Sequence, residues 1–249
     1  MKYWVCLFSF TLPFFFSALL FARPVTLDDA SFLVDFHDTI TVKKDYSYDY
    51  HSKNCRTLLN DSDDAIAQGT IKYSVDLVVA TLKSLVAWVE RDDKIISVLP
   101  SSIHRGIATS SLSGFSDVEE YTITFPEVSK GARLCYEVSE TRTAHLPGYF
   151  EYICYSPYAF IAKNSSCTVQ SEIPLEQLVY NDHSYLSIAK KKIAEGVHFE
   201  VTAKRDYAEG WKFEKLTTNS RKYSLLLLRS HRDYNRPPLL PYAINLRNF

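Results

Sequence analysis

Four of the five cysteines, those that follow the predicted signal peptide, carry the most distinctive chemistry in the chain: Cys55, Cys135, Cys154 and Cys167. An even number of cysteines is typical of a disulfide framework in an exported protein. The sequence allows three pairings and does not choose among them. Cys154 and Cys167 are near enough in sequence to be bridged across a hairpin. Cys135 falls on the polar face of its predicted strand, so the sequence allows either a disulfide or an exposed free thiol at this position.

A cysteine nucleophile would need a histidine and an orienting carboxylate beside its thiolate. Cys154 could be combined with His183 or His198 and with Asp206. Thiols are activated at helix N-termini or next to cations, whereas Cys154 lies within an aromatic strand. We therefore expect no catalytic residue in this chain and no enzyme activity.

Metal and phosphate sites are not indicated either. The seven histidines show no His-x-x-x-His spacing, and no Cys-x-x-Cys pair is present. The stretch 61–64 resembles the start of a calcium loop but lacks the required glycine and glutamate, so it predicts a helix cap. Lys190–Lys192 is typical of a solvated face. We expect no metal and no cofactor.

Aromatic residues are abundant, with 17 tyrosines and 15 phenylalanines. Tyr46, Tyr48 and Tyr50 share one face of an extended run. Such a face packs on another sheet in most proteins, and an exposed aromatic strip for a glycan or a protein partner is the alternative. The three tyrosines are therefore the candidate binding residues of this sequence.

Apolar residues alternate with period two through most of the chain, which predicts strands. A turn is predicted at His37-Asp38, and residues 60–69 predict a short capped helix. Residues 81–91 and 95–99 predict a hairpin that turns at Asp92-Asp93. The strand over 121–125 is followed by a turn at 129–131, and we expect 134–138 to return antiparallel to it.

Further strands are predicted around 71–75, 150–155, 160–169, 199–201 and 223–228, whereas 188–194 fits a short helix or a strand. Residues 100–116 predict a loop. Short strands at this spacing are typical of sandwiches. The sequence thus predicts a mainly β fold, an antiparallel β-sandwich with one or two short helices.

The two ends of the chain differ in composition from the middle. Residues 1–22 have a basic start and a long apolar run, and they predict a cleaved signal peptide. The alternative is an uncleaved membrane anchor over 4–21. Residues 23–235 form the predicted β-sandwich domain, and 236–249 are a proline-rich tail. We expect an exported protein, periplasmic, secreted or on the cell surface. The net charge of −1 argues against nucleic-acid binding.

Several stretches of the chain resemble a known protein family. Gly114-Phe115-Ser116-Asp117, then Ile123–Val128, then Gly131 and Tyr136-Glu137 resemble the bacterial domain of unknown function 3857, and the resemblance covers roughly residues 30–215. The charged hairpin over 86–98 and the segment 146–150 extend the match, whereas Asp38-Thr39 replaces the usual glycine of an early hairpin.

Members of that family are β-sandwiches that precede a transglutaminase-like domain in exported proteins. The resemblance therefore implies a binding or scaffolding module without catalytic machinery, because no catalytic Cys, His and Asp can be found after Pro241. A separately encoded transglutaminase-like protein is the expected partner. Two alternatives stay open: the front part of a truncated or split transglutaminase-like cysteine peptidase, and a membrane-anchored interaction protein.

Overall fold

Strands make up most of the chain in the computed structural model, which describes residues 30–107, 117–144, 146–155, 161–162, 165–180, 186–194, 196–203 and 225–230. Within these ranges the α-helix is α1 (Asp63–Ala67), and Pro100–Ser102 form a 3-10 turn. The fifteen strands are β1 (Phe32–Val42), β2 (Tyr48–Leu58), β3 (Thr70–Asp76), β4 (Ala80–Arg91), β5 (Lys94–Ser97), β6 (Ile103–Ile107), β7 (Val118–Thr124), β8 (Arg133–Arg142), β9 (Glu151–Tyr155), β10 (Ile161–Ala162), β11 (Ser166–Ser171), β12 (Leu175–Tyr180), β13 (Leu186–Ile193), β14 (Gly196–Ala203) and β15 (Leu225–Ser230). None of the described helices is long and apolar enough to cross a membrane.

Nine strands form one large sheet in the order β13-β14-β11-β1-β2-β8-β4-β5, with the short β10 also paired to β1. Most neighbours are antiparallel, but β1 runs parallel to β10 and β11. Two smaller sheets have the orders β12-β15-β9 and β3-β7-β6. The prediction of a mainly β, sandwich-like fold built of antiparallel sheets is confirmed.

Both small sheets cover the same face of the large sheet, which we call the inner face. The register pairs Ile40 with Tyr50, and Tyr50 with Glu140, so the even-numbered residues of β1, β2 and β8 share this face. One apolar core lies at its β13–β1 end against β9, β12 and β15, and includes Phe150 and Phe199. The second core lies at the β8–β4 end against the other small sheet. We call the opposite face of the large sheet the outer face.

Local signals in the sequence account for several connections. Ser62 caps α1 because its side-chain oxygen accepts a hydrogen bond from the backbone N–H of Ala65, as predicted for this acidic segment. The predicted hairpin of β4 and β5 is also confirmed. Its turn residues Asp92 and Asp93 have φ values of 49° and 60°, which suit a two-residue turn between twisted strands.

Three predictions are wrong. His37 and Asp38 do not form a turn, because both lie inside β1 and pair with β2 on one side and β11 on the other. The turn lies at residues 43–47 instead. Residues 134–138 do not return against 121–125, since β8 joins the large sheet and β7 the small one. The predicted loop over 100–116 contains β6, and its remainder, 108–116, lies outside the described residues.

Candidate functional site

The four cysteines form two disulfides, Cys55–Cys135 and Cys154–Cys167. Cys55 and Cys135 face each other on the adjacent strands β2 and β8, with Cα atoms 4.1 Å apart. Cys154 and Cys167 join the small-sheet strand β9 to the large-sheet strand β11, so this bridge links two sheets rather than the strands of a hairpin. All four residues are buried. Cys154 therefore has no thiol to act as a nucleophile.

Of the other nominated catalytic residues, the structure describes His198, which lies apart from Cys154. His198 lies on β14 in register with Gln170 of β11, on the outer face, whereas Cys154 is in the first core. His183 and Asp206 lie outside the described residues. Within the described part of the chain, no group of three or more His, Cys, Asp or Glu side chains could hold a metal ion.

A charged patch lies on the outer face around the Cys55–Cys135 bridge. Arg133 contacts Asp35 at 3.2 Å and Glu90 at 2.6 Å. Trp88 donates a hydrogen bond from Nε1 to Glu90 at 2.9 Å, and the ammonium of Lys53 lies 5.1 Å from its ring. Burial opposes the charge of Glu90, but the bonds from Trp88 and Arg133 prevail and lower its pKa. The patch holds β1, β2, β4 and β8 together from outside.

The three tyrosines of the candidate binding strip belong to the inner face. Tyr48 is buried with its ring edge-on to Phe150 at 5.3 Å, and Tyr50 lies 6.2 Å from Tyr152. Tyr46 precedes β2 with a φ of 69° and packs against the same core. This arrangement matches the interpretation in which the aromatic face packs on another sheet. Ligand binding by the strip stays a prediction.

A group of polar side chains lies between the two cores, and we call it the central polar cluster. It comprises Asp38, Tyr50, Ser52, Tyr73, Glu140, Arg142 and Tyr152. Glu140, whose side chain is 1% exposed, pairs with Arg142 at 2.5 Å and accepts a hydrogen bond from Tyr73 at 2.7 Å. The guanidinium of Arg142 lies 4.1 Å from the ring centre of Tyr50. The buried carboxylate is thus matched by a cation and a phenol.

Asp38 occupies the other half of this cluster. It accepts hydrogen bonds from the hydroxyls of Tyr152 at 3.1 Å and Tyr50 at 3.3 Å. Burial raises the pKa of Asp38, and the hydrogen bonds from Ser52, Tyr152 and Tyr50 only partly oppose it. Burial also raises the pKa of Tyr152 and of Tyr50. These contacts join β1 and β2 to β9, so the cluster fastens both small sheets to the large one.

A cleft of about 950 Å³ runs along one edge of the sandwich, and we call it the edge cleft. One wall is β4 from Ala80 to Trp88, and residues of β6 and β7 form the other. Ser97, Val98 and Pro100 also line the cleft. Val86 is 52% exposed and Ile95 72% exposed, so large apolar side chains face solvent along its rim.

Three charged side chains line the edge cleft: Lys83, Arg105 and Glu119. Arg105 forms an ion pair with Glu119, which also accepts a hydrogen bond from Tyr121 at 2.8 Å. The bond from Arg105, followed by that from Tyr121, lowers the pKa of Glu119. Lys83 therefore leaves the cleft with one positive charge in excess, in an otherwise largely apolar setting.

The family model DUF3857, a domain of unknown function with solved structure, matches residues 44–231. The chain belongs to this family. The resemblance stated from the sequence is thereby confirmed. Its central motif has a structural role here, because Phe125 and Val128 pack into the second core and Gly131 adopts a φ of +84°. Gly114–Ser116 lie outside the described residues. No curated protein matches the sequence significantly.

One solved structure supports the fold assignment, and a second likeness is too weak to carry an argument. A protein of Parabacteroides distasonis, named only provisionally as a protease, aligns over 81% of this chain with a TM-score of 0.68 and 12% identity. An M1 zinc metallopeptidase of Deinococcus radiodurans aligns over 83% with a TM-score of 0.37 and 7% identity. The chain spans 40% and 43% of the lengths of these two proteins. At such identity the first likeness concerns the fold alone.

The sequence indicated neither the central polar cluster nor the edge cleft as a site. Asp38 was assigned to a turn, and Glu140 and Arg142 lie beyond the strand predicted over 134–138, with no motif around them. The edge cleft lies where one side of β4 has no strand partner among the described residues, and no local sequence pattern encodes the pairing of strands. Lys190–Lys192, by contrast, lie on β13 and are exposed, as predicted.

Proposed function

We propose that this DUF3857 domain is an exported, non-catalytic binding module. The observation that carries the proposal is that Cys55, Cys135, Cys154 and Cys167 are all buried in disulfides. Cysteine peptidases and transglutaminases need a thiolate nucleophile, and a disulfide sulfur cannot provide it. Disulfides persist in oxidising compartments, which supports the proposed location outside the cytoplasm.

The binding role is supported by the edge cleft, an open concave surface with exposed apolar side chains. Concave, mostly apolar surfaces with a few polar groups are the usual form of binding sites. The module would present a polypeptide to a catalytic partner that resembles a transglutaminase, encoded on the same chain or separately. It requires no metal and no cofactor in this role.

A second proposal, that this domain is the front part of a cysteine peptidase system, is favoured by one observation. The provisionally named protease that it resembles is more than twice the length aligned here, since only 40% of that chain is covered. In this version the same module serves an enzyme whose catalytic residues lie elsewhere. The two proposals agree that the residues described here perform no chemistry.

Purified protein, oxidised and reduced, would be assayed for casein hydrolysis and for incorporation of a fluorescent amine into casein. We expect no activity in either state. The matched variants are Cys154→Ala/Cys167→Ala and Cys55→Ala/Cys135→Ala, each of which removes one bridge. Activity that the first pair abolishes and the second leaves intact would contradict the proposal, because it would identify a catalytic thiol. Intact-mass analysis of exported protein, showing whether residues 1–22 are removed, tests the proposed location.

A further inference from the structure

The edge of β4 that faces the cleft is open. Strand β5 pairs with β4 over Trp88–Arg91, and the N–H of Val98 donates to the carbonyl of Ala87. From Val86 back to Ala80 no other strand of the described chain pairs with this side of β4. An open edge presents a row of backbone N–H and C=O groups without strand partners.

The direction of these groups follows from the hydrogen bond at Ala87. The carbonyl of Ala87 faces the edge, because it accepts from the N–H of Val98. The N–H and C=O groups of successive residues point to alternate sides of a strand. Leu85 therefore also turns its N–H and C=O toward the cleft, whereas Val86 turns them toward β8. A bulge between Leu82 and Ser84 then shifts the pattern by one residue.

Such a row of backbone groups is complementary to an extended polypeptide. Donors and acceptors repeat about every 7 Å along one side of a strand, which is the spacing of another strand. The open stretch from Ala80 to Val86 would span about 20 Å, the length of a peptide of six or seven residues. A glycan offers no such repeat. Because β6 and the Ser97–Pro100 segment confine the cleft, the edge of a second folded copy fits less well than a single strand.

Side chains in the cleft define the character of the peptide. Leu85 and Ile103 pack at the second core beneath the cleft, and Val86 and Ile95 form its exposed rim. A strand added beside β4 would place alternate side chains against these apolar residues. The excess positive charge at Lys83 favours a peptide with acidic residues over a basic one.

We propose that the open edge of β4 binds an extended, acidic peptide segment with alternating apolar residues, which joins the large sheet as an additional strand. This inference rests on the proposed binding function and names its ligand class and location. Main-chain hydrogen bonds to Leu85 and its neighbours provide affinity, and the apolar rim and Lys83 provide selectivity.

The probe is a synthetic seven-residue peptide in which valine alternates with threonine, with an aspartate at each end. Titration calorimetry measures its affinity, and amide NMR shifts of isotope-labelled protein locate its site. We expect saturable binding, with the largest shifts between Ala80 and Val86. A copy of the peptide that is N-methylated at alternate amides should lose at least tenfold in affinity, because it cannot complete the ladder. A copy with lysines for aspartates should bind more weakly.

Two variants of one residue separate backbone from side-chain effects. Leu85→Pro removes the edge-facing N–H, and proline is tolerated at such an edge because the ladder to β8 does not use that group. Leu85→Ala removes the side chain and keeps the N–H. We expect Leu85→Pro to weaken peptide binding about three- to tenfold more than Leu85→Ala does. Thermal unfolding tests whether both variants are folded. If Leu85→Pro is not, Val86→Glu replaces it, because a negative charge on the rim should weaken binding of the acidic peptide.

Several outcomes would overturn the inference. They are binding that survives N-methylation, shifts confined to β6 instead of β4, stronger binding of maltoheptaose than of the peptide, and protection of the β4 edge by self-association at NMR concentrations. None of these affects the proposed non-catalytic role, which fails only if the activity assays detect a thiol-dependent reaction. The two proposals can therefore fail separately.

Discussion

The pairing of Glu140 with Arg142 gives a quantitative test of the central polar cluster. The Glu140 side chain is 1% exposed, and its partners in the cluster are the guanidinium of Arg142 at 2.5 Å and the hydroxyl of Tyr73 at 2.7 Å. Burial disfavours the charge of Arg142, but its proximity to Glu140 outweighs this and raises its pKa. Arg142→Met would therefore leave a buried carboxylate with a single phenol.

Removal of one partner from a buried ion pair costs about 3–5 kcal/mol, since the other charge stays buried and uncompensated. The Arg142 side chain is 24% exposed, so we expect Arg142→Met to lower the free energy of unfolding by about 3 kcal/mol, the lower end of that range. Removal of both charges in Glu140→Gln/Arg142→Met should cost only about 1 kcal/mol, because no charge is left without a partner. The difference is the measurable signature of the pair.

Urea unfolding at pH 7.5, followed by tryptophan fluorescence, gives these free energies by linear extrapolation. Arg91→Met is the matched control, because Arg91 pairs with Asp92 at 3.4 Å on the surface, where an ion pair contributes less than about 1 kcal/mol. A double variant as unstable as Arg142→Met, or a control variant as unstable as Arg142→Met, would refute the reasoning. The first result would mean that packing over Tyr50, and not charge, accounts for the loss.

Three further predictions concern stability. By the chain-entropy estimate, Cys55→Ala/Cys135→Ala should lower the free energy of unfolding by about 4.5 kcal/mol, and removal of the Cys154–Cys167 bridge should lower it by about 3 kcal/mol, because the sequence separations are 80 and 13. Urea unfolding that ranks the two variants in reverse would contradict this. Burial raises the pKa of Asp38 above its usual 3.8, so the folded state binds the proton of this carboxyl more tightly than the unfolded state does. Stability should therefore increase as the pH falls through the raised pKa toward 3.8. Asp38→Asn should flatten that increase in unfolding curves between pH 7 and pH 4, and an unchanged profile would exclude Asp38 as its source. Gly196→Ala should lower stability by about 3 kcal/mol or more, because φ is +144° and the new Cβ would lie 1.7 Å from the carbonyl oxygen of Ser171; a thermal midpoint within 2–4 °C of the parent, which corresponds to about 1 kcal/mol, would refute it.

The sequence predicted those features that depend on near neighbours. Apolar alternation placed most of the strands, since one residue of each pair must face a core. The cap at Ser62 and the turn at Asp92-Asp93 could be predicted because side-chain acceptors and positive φ values have strong local preferences. The four cysteines were predicted as disulfide candidates, but their pairing depends on which strands become neighbours.

Strand partners could not be predicted because they are set by distant segments. The polar Asp38 interrupts the apolar face of β1 and therefore imitated a turn, although it is satisfied by tyrosines of β2 and β9. Likewise, a turn at 129–131 between two strands usually joins a hairpin, but here the chain passes from β7 of one sheet to β8 of another. A hairpin turn and a turn that passes between two sheets have the same local sequence pattern, and only the pairing of the strands distinguishes them.

The position of the central polar cluster follows from the geometry of the sandwich. One face of a nine-stranded sheet is covered by two separate three-stranded sheets, so a boundary between two cores must cross the middle of that face. Long polar side chains at this boundary can span the distance between the two cores and satisfy each other's hydrogen bonds. Arg142, Tyr73 and Tyr152 do so from three different strands. Because this boundary is filled by mutually paired groups, it offers little to a ligand. We therefore assign the proposed peptide to the open edge of β4, where backbone groups from Ala80 to Val86 are paired by no described strand.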